Sequence, residues 1–334
     1  MAGRPVGPVW AHRRRRPHRC AHRRHGPTRH EDSSARHEER RTEAMRRLWV
    51  RRALMLLITI GLLVLTVRIV GVQALLEGGQ VVTPMTVLAA LVLGLLATTA
   101  QAMRFSLLLK QTGTQVTRRR ALADCYSAGL LNTLLPGGLS GDLARVAAYR
   151  NTGPRRWLSP LTVVGAERLS ATTLLFITAT LALIPVAPAF AWIAAAVAVV
   201  TGVLSIVGMR GMRAATIGLV WLMAAVTIGS FLALYLIAML ALGGPVIPAL
   251  AVVGLAAMSI PLGVGGWGVR EVSVSILAGS LASSVEWAVT TSAGYGLLAA
   301  ISTLPGAITL MLRLWRRHQE SDQHSPSTRR SPTC

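Results

Sequence analysis

Histidine is missing from the body of this sequence. All eight His residues lie outside the stretch from Leu48 to Leu312, with His12, His18, His22, His25, His30 and His37 before it and His318 and His324 after it. That stretch therefore has no imidazole for a metal site or a general base, which disfavours zinc chemistry and most hydrolysis. Cysteine is scarce too: Cys20, Cys125 and Cys334 stand far apart, with neither a disulfide framework nor metal-ligand spacing. Lys110 is the only lysine. Charge as a whole is low, at 14% of residues, where a soluble domain carries roughly 25%. No nucleotide loop is present, because G-x-x-G occurs without the strand context or the Lys that a phosphate loop needs.

What is present is apolar. Hydrophobic residues make up 52% of the 334 residues, and the mean hydropathy is +0.51. The formal charge of +22 would suit a nucleic-acid binder. Here, however, the arginines crowd the first 43 residues and the short loops between apolar segments, where the positive-inside rule places them, and no nucleic acid is expected as a partner. Residues 1–44 are rich in Arg, His and Pro and lack an apolar period, so they read as a disordered basic tail. Met45, followed by Arg46–Arg47 and Arg51–Arg52, has the form of a membrane-protein start, and translation from Met45 is the expectation. Residues 45–317 form the membrane domain, and 318–334 read as a disordered cytoplasmic tail.

A bilayer crossing needs about 20 apolar residues. Ala53–Val70, Thr86–Leu108, Leu161–Ile184, Ala189–Met209, Ala214–Leu242 and Trp287–Leu312 meet this. Ala121–Leu135 and Val246–Ile260 are shorter and end at Pro136-Gly137-Gly138 and Pro261-Leu262-Gly263. If Ala121–Leu135 crossed, Arg145, Arg150, Arg155 and Arg156 would lie outside, against the rule. The sequence therefore predicts an all-α polytopic membrane protein with six spans and two re-entrant helical hairpins. It expects both termini in the cytoplasm of a bacterial cell (inner) membrane.

The two hairpins share the pattern P-x-G-x-x-G-x-x-x-R: Pro136, Gly138, Gly141 and Arg145 in the first, Pro261, Gly263, Gly266 and Arg270 in the second. Pro ends the incoming helix, and Gly allows a tight turn and close approach. The returning helix then offers free N–H groups to an anion, and the Arg adds a bidentate donor. A packing role, with Arg paired to Asp142 or Glu271, is the alternative. With their flanking spans the hairpins form an inverted-topology repeat, as in transporters whose broken helices meet at the midplane.

The strings "NTLLPGGLSGDLAR" (132–145), "ERL" (167–169) and "SIPLGVGGWGVRE" (259–271) resemble the membrane domain of lysylphosphatidylglycerol synthase/flippase proteins and their stand-alone relatives. The resemblance implies a flippase that moves a phospholipid or lipid-linked head group between leaflets. The family's synthases carry a soluble aminoacyl-transfer domain after the spans, whereas 22 residues follow Leu312 here, so only transport is expected to carry over. Arg145 and Arg270 would hold phosphate, with Gly138, Gly141, Gly263 and Gly266 shaping the turns. Asp142, Glu271 and Glu167 would balance charge or bind an amino group, and Trp267 would pack on the glycerol or acyl region.

Charged residues at membrane depth cost about 2.5–3.5 kcal/mol on insertion scales, so Glu167 needs a partner such as Arg145 or Arg270, unless it and Arg168 form an interfacial pair. Arg68 and Arg104 near span ends are expected as interfacial anchors, and Asp124 and Tyr126 as a cap and a belt residue. No enzyme activity, cofactor or metal is expected. The competing readings are an intramembrane lipid-headgroup transferase and a non-transporting partner of a separately encoded lipid synthase or glycosyltransferase. The topology is testable by cysteine-accessibility labelling: position 150 should be cytoplasmic and positions 244 and 284 external. External labelling at 150 would turn the first hairpin into a true span and remove the inverted repeat.

Overall fold

A computed structural model describes residues 68, 72–135, 137–151, 158–260, 265–281 and 284–323. Among them the regular structure is all helical. The helices are α1 (Val72–Gly79), α2 (Pro84–Lys110), α3 (Arg118–Leu134), α4 (Ser140–Ala148), α5 (Leu158–Leu183) and α6 (Pro188–Gly208), followed by α7 (Ala214–Ala241), α8 (Pro248–Met258), α9 (Val269–Ser280), α10 (Val285–Thr303) and α11 (Pro305–Gln323). Among the described residues, five stretches are long and apolar enough to cross a membrane: Pro84–Lys110, Ser159–Leu183, Pro188–Gly208, Ala214–Ala241 and Val285–Arg313. The predicted span 53–70 lies outside the described residues except for Arg68, as do Pro136, Pro261 and Gly263.

Three elements differ from the sequence reading. The short helix α1 was not expected; Gly78 lets it lie against α10, since a Cβ there would sit 2.9 Å from Gly294 N. The last span is broken at Leu304–Pro305, because Pro305 cannot donate its backbone nitrogen to the turn before it. Helix α11 then continues to Gln323, past Arg317, where the tail was expected to begin.

The helices show why their faces separate. On α2, Ala90, Gly94, Ala97, Arg104 and Leu108 are buried at spacings of three, four and seven residues, while Leu88, Val92, Leu95 and Met103 are exposed. Small residues let helices approach closely where lipid, not water, surrounds the bundle. A Cβ on Gly94 would lie 2.6 Å from Ser302 Cβ of α10. Two core clusters follow. One is built around Tyr235, Leu250, Val274 and Leu298, the other around Phe105, Leu109, Val146 and Val163.

The contacts between helices repeat. In the first half α2 packs on α3, α3 on α4 and α4 on α5. In the second half α7 packs on α8, α8 on α9 and α9 on α10. The cross-contacts also correspond, since α5 meets α7 and α8 as α10 meets α2 and α3, and α2 packs against α7 between them.

The first broken pair closes at Gly141, where a Cβ would fall 2.0 Å from Ala128 O of α3. Gly141→Ala should therefore cost on the order of 1–3 kcal/mol through overpacking. Thermal unfolding in detergent checks this: Gly141→Ala should unfold at a lower temperature, while Gly165→Ala, with nothing within 4 Å of its Cβ, should not.

Candidate functional site

A cavity of about 310 Å³ lies between the two broken helix pairs. Gly138, Asp142 and Arg145 line it from the first, and Met258, Ser259, Gly265 and Gly266 from the second. The breaks meet there. Gly265 has φ +56°, a left-handed angle that suits glycine, and a Cβ on it would lie 2.8 Å from Thr133 O at the end of α3.

The polar wall is a network of guanidinium and carboxylate groups. Arg145 donates to Asp142 Oδ1 at 2.6 Å and to Glu167 Oε2 at 2.8 Å, and its guanidinium lies 4.9 Å from the centroid of the Phe105 ring. Arg168 donates to the other Asp142 oxygen and to Gly138 O. Arg104, only 2% exposed, places Nη2 3.7 Å from Glu167 Oε1, while its Nε and Nη1 have no hydrogen-bond partner in the protein. Glu167 Oε1 likewise accepts no hydrogen bond. Glu167, 1% exposed, thus meets Arg145 of the two partners that the sequence offers it.

Arg270 is placed differently. It is fully buried, and like Glu271 and Trp267 it lies outside the cavity lining. Its Nη2 donates to Glu271 Oε1 at 2.6 Å and its Nε to Ser292 Oγ at 2.7 Å, and the guanidinium lies 4.8 Å from the Trp267 ring and 5.3 Å from the Tyr295 ring. Tyr295 itself lines the cavity, so it stands between the two clusters. The reason is helix register. Helix α4 begins at Ser140, which makes Arg145 its sixth residue, whereas α9 begins at Val269 and Arg270 is its second. At 3.6 residues per turn, four positions of offset rotate the side chain by only about 40° but raise it about 6 Å along the axis, so the two Arg side chains stand at different heights above their breaks.

The free N–H groups expected at the two returning helices are partly in use. Gly141 N donates to Asn132 Oδ1, and Gly268 N to Glu271 Oε2, each at 2.7 Å.

Arg104 is the residue that sequence reasoning missed. It was expected at the interface, but it lies inside the bundle because it belongs to the inward stripe of α2, seven residues after Ala97. That stripe was the available signal. Arg168, for which an interfacial pair with Glu167 was the alternative reading, reaches across to Asp142 with a side chain 33% exposed. Asp124 is no cap either: Thr117 caps α3, and Asp124 is buried, paired with Arg313 and accepting from the Tyr149 hydroxyl. Burial, then that hydrogen bond, raises the Tyr149 hydroxyl above its usual range. Among the described residues no group of His, Cys, Asp and Glu comes together as a metal-ligand set.

Residues 52–217 match the family described as the lysylphosphatidylglycerol synthase TM region. Over that stretch the chain is similar to this family. The family's stretch holds α1 to α6, and with them Arg104, Asp142, Arg145, Glu167 and Arg168, while the second Gly-rich break lies beyond it. No curated protein and no solved structure matches the chain. The family match and the apolar helices make this a multi-pass membrane protein related to lipid modification or flipping.

Removing Arg145 would leave buried Glu167 with only the 3.7 Å approach of Arg104, and Asp142 with Arg168 alone. Arg145→Ala should cost about 3–5 kcal/mol, the usual penalty for breaking a buried pair from one side. The double variant Arg145→Ala/Glu167→Ala should lose less than the sum of the singles, which a double-mutant cycle on detergent unfolding measures. Additivity would show that the two side chains are not coupled.

Proposed function

We propose that the chain is a lipid flippase or transporter, moving a phospholipid or lipid-linked head group between the leaflets of a bacterial plasma membrane. The observation that carries this reading is the cavity itself. A charged pocket, lined by both broken helix pairs, sits inside a bundle whose outer faces are apolar. Polar and charged groups at such depth are costly, and they mark substrate pathways in membrane proteins.

The repeated contact order supports an inverted-topology repeat, with α3–α4 and α8–α9 as re-entrant pairs entering from opposite faces and both termini in the cytoplasm. Two such halves rocking about a common site would expose it to each side in turn. A lipid head group could then cross in a polar environment while its acyl chains remain in the apolar one. No bond is made or broken in this reading. A head-group modification would be the work of a separately encoded synthase or glycosyltransferase.

Arg145 serves the cavity by fixing α4 to α5 and by contributing charge to its wall. Lys keeps the charge but not the planar fork that reaches Asp142 and Glu167 together. In proteoliposomes the protein should make inner-leaflet reporter lipids accessible to a membrane-impermeant quencher, and Arg145→Lys should slow this on the order of tenfold. Monodispersity measured beside transport separates loss of function from misfolding. Well-folded wild-type protein that moves no lipid from a panel of anionic and zwitterionic head groups would overturn the proposal.

A further inference from the structure

The cavity network does not balance. Three guanidiniums, Arg104, Arg145 and Arg168, face two carboxylates, Asp142 and Glu167, so one positive charge is left over. The hydrogen bonds show where it sits. Both Asp142 oxygens are taken, one by Arg145 and one by Arg168. Glu167 Oε2 is taken by Arg145, and Oε1 faces Arg104 from 3.7 Å, beyond hydrogen-bond distance. The surplus is therefore Arg104, a residue of the cavity wall at 2% exposure, whose buried Nε and Nη1 are unpartnered. A buried guanidinium with open donors is satisfied best by an anionic oxygen pair, which its planar fork accepts in bidentate fashion.

The other lining groups narrow the chemistry. Gln101, Asn132 and Thr227 are uncharged and polar, suited to hydroxyl groups rather than to charge. An ammonium group entering the cavity would find no carboxylate oxygen that is not already bonded to, or facing, a guanidinium. An amine-bearing head group would therefore meet a net positive wall without a counter-charge.

We propose that this cavity is an anion site in which Arg104 holds the phosphate, selecting lipids with a net negative head group, a phosphodiester bearing an uncharged polyol, over head groups that carry an added amine. The selection of head group rests on the transport reading only for its consequence in movement; the binding site stands on the cavity alone.

Binding and movement are measured separately. Purified protein in detergent is titrated with phosphatidylglycerol, phosphatidylethanolamine and the lysyl ester of phosphatidylglycerol, with bound lipid counted by native mass spectrometry. The same three lipids serve as reporters in proteoliposomes. Wild type should bind phosphatidylglycerol at least roughly tenfold more tightly than its lysyl ester, and Arg104→Gln should remove roughly that factor. Gln101→Glu leaves Arg104 in place and puts a carboxylate one turn away on the same helix face. It should lower phosphatidylglycerol binding and raise that of the lysyl ester, and it decides the question if Arg104→Gln is not monodisperse. Equal or tighter binding of the lysyl ester by wild type overturns the proposal. So does an unchanged preference in Gln101→Glu, or in folded Arg104→Gln. Selective, Arg104-dependent binding with no movement of any lipid would retain the anion site and sink the transport reading. Equal movement of all three lipids, unaffected at Arg104, would do the reverse.

Discussion

Charge inside an apolar bundle must find its partner within the protein, because hydrocarbon supplies neither water nor counter-ion. Much of the described architecture follows from that constraint. Arg145 joins α4 to α5 through Glu167 and lies against Phe105 of α2. Asp124 joins α3 to α11 through Arg313 and to the end of α4 through Tyr149. Arg270 joins α9 to α10 through Ser292 and the Tyr295 ring. These ties, with the close contacts at Gly141 and Gly265, hold the short helices against the long ones.

The two Gly-rich breaks are alike in sequence and unlike in use. In the first, the turn ends early and the Arg rides more than a turn up its helix, where it reaches two carboxylates and the cavity. In the second, the turn runs on to Gly268 and the Arg sits at the helix start, folded back on the adjacent Glu271. Gly296 makes room for it, since a Cβ there would lie 2.5 Å from Arg270 Nη2. A pseudo-symmetric scaffold thus carries an asymmetric pair of charge clusters, one on the cavity wall and one sealed behind Tyr295. Buried ion pairs of this kind add little net stability but penalise every arrangement that separates the partners, which fixes how the helices register.

A site built this way has its own chemical bias. Where each carboxylate is committed to a guanidinium, the wall is held rigidly and its spare capacity lies in whichever donor is left open. Arg104 is that donor, placed by the same stripe of α2 that packs Gly94 and Ala97 into the bundle. Packing and recognition are therefore not separable on this helix.

The sequence by itself determined five of its six expected apolar spans, the two short broken segments and the family resemblance. These depend on local composition, on helix length against bilayer thickness and on Pro and Gly at fixed spacing, all of which act along the chain. It also offered Arg145 as a partner for Glu167. Only the tertiary structure decided that Arg145 faces the cavity while Arg270 does not, because that turns on where each returning helix begins, a matter of a few residues of turn conformation. Only the tertiary structure placed Arg104 inside, since the inward direction of α2 is set by the helices that cover it. The pairing of Asp124 with Arg313, 189 residues away in the chain, was equally out of reach, because a charge chooses its partner by distance in space.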